Sequence, residues 1–295
     1  MNISVIICTL NRPIILHETI TSILKQNLPP WQIIIASPGQ DHILPETLAL
    51  EGVQYVQTLT GLCKQRNKGL EAVAPGTGLV AFLDDDIELS RSYLEAMARL
   101  FREKPGIIVA SGRMLHDGGR DTRISREQAI DKCEAYDLTH KHDAPLSYKS
   151  ISSGYGCNMI VRHSGIGAFR FDEHLPLYAW LEDRDFSHRC TVGRCAPVEC
   201  NNAVAVHLGW RSGRISGVRL GFSTVVNPVY LRRKANMFSF QFILVNYWLR
   251  CIAGNIIGVI TGDSEHDRIG LIKGNMIGFW HLITGKCDPE YILTL

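Results

Sequence analysis

The chain has 295 residues, 45% apolar and 20% charged, enough to bury a sizeable core in one large domain or two closely joined halves. A net charge of +2, with no long basic run interleaved with aromatics, argues against a nucleic-acid binder, so no nucleic acid is expected among its partners. Nine cysteines, an odd number without a C-x-x-C pair, argue against a disulfide framework or a zinc ribbon and point to a reducing, cytoplasmic setting. Cys190, Cys195 and Cys200 recur every five residues, a spacing that matches no familiar metal site, and read as ordinary thiols.

MNISVIICTLNRP opens with a short apolar run and no basic leader, which reads as a first strand and not a signal peptide. ISVIICTL, QIIIAS and GLVAFLD are β-branched runs of the length of buried parallel strands. ILHETITSILKQ and LCKQRNKGLEAV between them have helical spacing of apolar positions. This β-α-β-α-β alternation predicts a doubly wound α/β sheet, whose ligands bind beyond the carboxyl ends of its strands. Thr9, Asn11 and Arg12 follow the first strand there, and Asp84, Asp85 and Asp86 end the run GLVAFLD.

SYLEAMARLFREKPG predicts a helix with a Pro-Gly stop, followed by an apolar run, IIVASGRM, and a polar stretch over 116–150 that reads as an irregular insertion. GYGCNMIVRH comes next, then FRFDEHLPLYAWLEDRDFSHRC, in which a helix is expected from about Tyr178 to Arg189. NAVAVHLGW is a last strand ending near His207. The organisation expected is a first half over 1–110, a second half over 111–226 and a C-terminal helical extension over 227–295.

From about Asn227 the chain is apolar nearly all round, but Gln241, Asn246, Arg250 and Asn255 interrupt it before a clean span is reached, and Arg232, Arg233 and Lys234 precede it. Three readings stay open: a helix buried against the domain or a partner chain, a helix lying in a membrane interface, and a true span. Contact with the inner face of a plasma membrane and a homo-oligomer are accordingly both open.

Three consecutive carboxylates ending an apolar strand, VAFLDDDIELS, repel one another unless something positive belongs among them. A hard divalent cation, Mn²⁺ or Mg²⁺, completing its shell with substrate diphosphate is the natural partner, although strand-end acids also occur in phosphatases and receiver domains. In LEDRDF, the acids Glu182, Asp183 and Asp185 read either as a source of a catalytic base or as a solvated helix face paired with Arg184 and Arg189. His207 reads as a metal ligand or as a hydrogen-bonded strand-end residue. Gly154 and Gly156 would permit close backbone approach to a sugar or would simply form a strand-leading turn, and Arg211 and Arg214 in WRSGR would close over a diphosphate or lie at the surface. No G-x-G-x-x-G follows the first strand, which argues against a dinucleotide oxidoreductase.

In order and spacing, VIICTLNRP, SILKQ, GLCKQRNKGLEAV and VAFLDDDIELS resemble the nucleotide-sugar half of the inverting family 2 glycosyltransferases. GYGCNMIVRHSGIGAFRFDEHL followed by LEDRDFSHRC resembles the same family's acceptor half, so the resemblance covers about residues 3–210. It implies the GT-A fold, a mixed and mostly parallel central sheet flanked by helices, here with a C-terminal helical extension. It also implies metal-dependent transfer of a sugar, with inversion, from a nucleotide-diphosphate donor to a hydroxyl of a glycan or lipid-linked acceptor, in assembly of a surface polysaccharide or glycolipid of the cell envelope. By the same resemblance Thr9, Asn11 and Arg12 hold base and ribose, and Arg66 and Asn67 lie near base and diphosphate. Asp84 and Asp86 are the outer positions of the Asp-x-Asp motif, Asp84 toward ribose or metal and Asp86 as direct metal ligand, with Asp85 between them and His207 as third ligand. Gly154, Tyr155 and Gly156 face sugar or acceptor, and Asp183 is the base with Glu182 supporting it. One departure is Ser37, standing with Asp41 nearby where many relatives place an Asp that pairs with the base. The alternatives are a sugar nucleotidyltransferase, whose Gly-rich basic loop after the first strand is missing from CTLNRP, and a non-catalytic nucleotide- or glycan-binding module.

Overall fold

A computed structural model describes residues 1–140, 144–210, 215–263 and 266–295. Among these, nine strands form one sheet: β1 Ile3–Cys8, β2 Gln32–Ser37, β3 Val53–Gln57, β4 Leu79–Asp84, β5 Ile87–Leu89, β6 Val109–Asp117, β7 Tyr148–Ser150, β8 Asn158–Arg162 and β9 Val198–His207. Their order is β3-β2-β1-β4-β8-β6-β9-β5, with β7 also paired to β9. The first four run parallel, β8 is antiparallel to both β4 and β6, and β6 and β9 are parallel again. This is the mixed, mostly parallel α/β sheet that the alternating pattern predicts. Strands β1, β2 and β4 are buried nearly throughout, as continuous β-branched runs require when helices cover both faces.

Three strands and one helix escape the sequence pattern, β7 among them, which lies in the stretch over 116–150 expected to be irregular. VQYVQ, β3, is an edge strand with Gln at two of its five positions, and β5 is only three residues long. The stretch expected to be irregular contains a helix, Arg126–Thr139, opened by a capping box in which Ser125 accepts from the Gln128 N–H and Gln128 reaches back to the Ser125 N–H. Its buried positions are Ala129, Cys133 and Tyr136, residues too weakly aliphatic to announce an amphipathic face. The helix expected from Tyr178 starts later, at Glu182, because Leu177, Ala179 and Leu181 take left-handed backbone with φ of 59°, 54° and 78°.

The chain divides into two compact units: residues 1–60, 64–171 and 186–213, and residues 61–63, 172–185 and 214–295. The first holds the sheet, with a core that includes Ile20, Ile33, Leu83, Tyr93, Phe101 and Ile160. In the second, the helices Gly217–Ala235 and Arg268–Ile283 pack so closely that a Cβ on Gly274 would collide with the Val218 carbonyl. Asn275 bridges that contact, donating to the Gly221 carbonyl and to Thr224 Oγ1, both at 2.8 Å. Between these helices in the sequence comes a third helical run, Phe240–Ile260, with a widened π-type turn over Leu244–Leu249. Only 22% of the apolar stretch in that run is buried, so it is not a core helix of its own unit.

Candidate active site

The parallel register aligns the strand ends. Cys8 pairs with Ala36 on one side and Asp84 on the other, which gathers Thr9–Arg12, Ser37 and Asp84–Asp86 at one edge of the sheet. His207, at the end of β9, pairs with Ile87 and with Asp117, the last residue of β6.

The three aspartates have different surroundings. Asp85 is buried and fully engaged: Thr9 Oγ1 donates to its Oδ2 at 2.7 Å and Arg12 Nη1 to its Oδ1 at 2.8 Å, while Arg12 also donates to the Trp210 carbonyl at 2.9 Å. Burial raises its pKa to about 6, against the opposing pull of Arg12. Asp86 is buried as well. Its Oδ2 accepts from the Trp210 N–H at 2.7 Å and its Oδ1 lies 3.3 Å from His207 Nε2. Burial would raise it, but the hydrogen bond and charge of His207, with Arg12, outweigh burial and hold it below the usual carboxylate range. Asp84 is half-buried, 3.8 Å from Arg66 and 4.0 Å from His207, and burial lifts it in spite of those two cations.

His207 Nδ1 lies 3.0 Å from Asp117 Oδ1, and the Tyr155 hydroxyl donates to the other oxygen of Asp117 at 2.7 Å. Burial works to lower the imidazole, yet Asp117 and Asp86 raise it to about 10, while the same contacts bring Asp117 down to about 2 against burial. Asp117 thus fixes the ring so that Nε2 faces Asp84 and Asp86. The ligand atoms of Asp84, Asp86 and His207 all lie within 4.8 Å of one another. Two carboxylates and an oriented imidazole at that spacing fit a divalent cation of the Mn²⁺ or Mg²⁺ kind.

The remaining residues singled out in the sequence are mostly tied to the fold. Arg66 is buried, donates to the Gly156 carbonyl at 2.8 Å and lies 5.1 Å over the Phe171 ring. Asn67 clamps the backbone of Phe171 with both amide atoms, at 2.9 and 2.7 Å. Ser37 is fully buried at the end of β2, and Asn11 is exposed with left-handed backbone, φ 57°. Gly154 donates to Ser187 Oγ at 3.0 Å, and a Cβ there would press on Met159 and Val109, so close packing accounts for that glycine. Arg211 and Arg214 lie outside the described residues.

The second acidic cluster sits in the other unit, at the start of the helix Glu182–Thr191. A solvated face, one reading of the sequence, is corrected here: Asp185 is 0% and Glu182 6% exposed, and only Asp183 is half-buried. Asp185 lies 3.1 Å from Lys234 Nζ, which also reaches Asp172 at 2.6 Å, and the Tyr230 hydroxyl donates to Asp172 at 2.8 Å. Asp183 accepts from the Arg184 N–H at 2.7 Å. The three left-handed residues immediately before this turn cost about 1–2 kcal/mol each, a concentration of backbone strain that marks functional segments more often than scaffolding.

The sequence pattern that defines the family described as Glycosyl transferase family 2 matches residues 4–170, more than half of the chain. The chain belongs to that family. The family 2 chain also shares the GT-A fold with solved glycosyltransferases. S. aureus TarS, residues 1–349, crystallised with UDP-GlcNAc, superposes with a TM-score of 0.59 at 16% identity, covering 93% of this chain and 79% of TarS. GalNAc-T7, crystallised with UDP, GalNAc and Mn²⁺, gives 0.54 at 13% identity, covering 88% of this chain and 57% of that one. Comparison with curated protein sequences finds no match.

Three residues of the two clusters carry no site motif in the sequence. Asp117, Asp172 and Lys234 stand 90, 13 and 49 residues from His207, Asp185 and Asp185 respectively. Asp117 alone had a signal, an acid ending a strand as Asp84 does, hidden because IIVASGRM runs on into the polar MLHDGG.

Proposed function

We propose that this chain transfers a sugar from a nucleoside-diphosphate donor to an acceptor hydroxyl of a polysaccharide or glycolipid, by a metal-assisted single displacement that inverts the anomeric centre. The convergence of Asp84, Asp86 and His207 within 4.8 Å at the carboxyl ends of the strands carries this reading. TarS binding UDP-GlcNAc and GalNAc-T7 binding UDP and Mn²⁺ support it.

Asp84, Asp86 and His207 would hold the divalent cation, which when bound acts as a Lewis acid on the departing diphosphate. Asp117 keeps the imidazole turned toward it. Asp85 takes no part in that shell, since Thr9 and Arg12 occupy both its oxygens; it anchors the loop after β1 against the strand end. On the acceptor side, Asp183 is the best placed of its cluster to take a proton, being the carboxylate with solvent access while Glu182 and Asp185 are enclosed. In the transfer, the acceptor oxygen forms a bond to the anomeric carbon as the carbon–phosphate oxygen bond breaks. The acceptor proton passes to the Asp183 carboxylate and the bonding pair leaves with the diphosphate.

The test is transfer from a panel of UDP-, GDP- and dTDP-sugars with and without Mn²⁺, with the glycoside's anomeric configuration read by NMR. Inverted product formed only with metal, and lost in Asp86→Asn, is expected. A retained configuration, or full turnover in EDTA by the Asp86→Asn protein, would overturn the scheme.

A further inference from the structure

We propose that the outer face of the helices Phe240–Ile260 and Arg268–Ile283 docks on the surface of an anionic lipid bilayer. Both helices are apolar on two opposite sides. One side packs inside the unit through Asn255 and Gly258, and through Gly274, Asn275 and Gly278. On the side away from Asn255, Leu249, Ile256 and Ile260 are 54%, 47% and 78% exposed. On the second helix Ile269, Met276, Trp280 and Ile283, at spacings of seven, four and three, form a stripe opposite the buried glycines, each 61–77% exposed. A helix facing water carries polar residues there; contiguous apolar surface of this kind marks an interaction site.

Charge selects the occupant. Residues 200–262 and 268–287 contain no Asp or Glu, so the charged side chains that the two helices and the segment leading into them carry are cations, among them Arg232, Arg233, Arg250, Lys273 and Lys286; of the acids in the turn between the helices, Asp263 pairs with Arg268 and Asp267 caps the second helix. A second copy seated on the same face by two-fold symmetry would set these cations against themselves, whereas anionic head groups neutralise them. Trp280 supplies an aromatic ring of the kind that settles at head-group depth. The run Phe240–Ile260 is long and apolar enough to cross a bilayer, with 21 residues and a mean hydropathy of 1.6. Crossing would bring Arg250 to the midplane and would require Asn255 to leave Asn275 and Arg268, with which it bonds at 3.1 and 3.2 Å. Lying in the interface keeps those bonds and lets Arg250 extend to the phosphates.

The experiment is sedimentation of the full chain with phosphatidylcholine vesicles, with and without about 30% phosphatidylglycerol, in low and high salt. Binding at least about tenfold tighter with the anionic lipid, weakened by salt, is expected. Ile260→Glu and Trp280→Glu, both at well-exposed positions, should abolish it without moving the thermal unfolding midpoint. Quenching of tryptophan fluorescence by brominated lipid should fall in Trp280→Phe. Equal binding with and without anionic lipid, or quenching unchanged in Trp280→Phe, would overturn the proposal. So would failure to bind any vesicle, including the case where light scattering shows a dimer that Ile260→Glu disrupts.

Discussion

The clusters Asp84-Asp85-Asp86 and Glu182-Asp183-Arg184-Asp185 look alike in sequence, and the fold treats them alike in one respect. Each has one carboxylate held by a cation from a distant part of the chain: Asp85 by Arg12, Asp185 by Lys234. The difference lies in what remains. The first cluster leaves two carboxylates converging with an imidazole, at a spacing that fits a divalent cation; the second leaves Asp183 half-buried at a strained helix start, the carboxylate proposed above as the base. Acidic clusters therefore divide their members between chemistry and structure, and the division is set by which one meets a cation in the interior.

Replacing the reacting member should have the largest effect. Asp183→Asn is expected to lower transfer by about 10²- to 10⁴-fold while donor affinity, measured by calorimetry, stays near normal. An active Asp183→Asn enzyme would move the base elsewhere and erase the proposed difference between the clusters. Next comes the structural member. Lys234→Met leaves Asp185 enclosed without its cation and should destabilise the protein by about 3 kcal/mol in urea unfolding, the low end for a broken buried pair because Lys234 is itself partly exposed. Stability within a few tenths of wild type would show that the Lys234 contact is not what holds the enclosed Asp185.

Asp117→Asn sharpens the comparison further, since Asp117 holds the His207 ring while Asp172, its counterpart in the second cluster, holds Lys234. It should weaken Mn²⁺ affinity by about 10- to 100-fold with folding intact, as removal of a ring-orienting partner does. Unchanged metal affinity would show that His207 is not a ligand. The smallest effect concerns acid. Burial would raise Asp172, but Lys234 and Tyr230 overcome it and hold its pKa below the ordinary 3.8. A carboxyl depressed in the folded state stabilises fully above its unfolded value and loses that contribution as pH falls through its folded value. The stability gap between wild type and Asp172→Asn should therefore hold from pH 7 to about 4 and shrink below it; a gap constant down to pH 3 would contradict the pairing.

Much of the sheet was legible because strand and helix signals are local. Continuous β-branched runs announce β1, β2 and β4, and strand-end acids announce the Asp84–Asp86 cluster. VQYVQ is not legible because an edge strand needs no continuous apolar run, nor is Arg126–Thr139, whose buried face is Ala, Cys and Tyr; the Ser125–Gln128 capping box is the local signal for that helix. The family resemblance turns Asn67 toward the nucleotide, whereas in the structure its amide is engaged with Phe171. A motif carries residue types forward but not the direction in which each side chain points.

By itself, then, the sequence determined the α/β alternation, the family, and the two places where carboxylates gather, since periodicity and order along the chain suffice for those. Tertiary structure alone decided which carboxylate in each cluster is enclosed and which cation holds it, that Asp117 stands behind His207 from 90 residues away, and that the C-terminal helices are apolar outside as well as in. Burial and pairing set those outcomes, and both depend on long-range packing that no local pattern encodes.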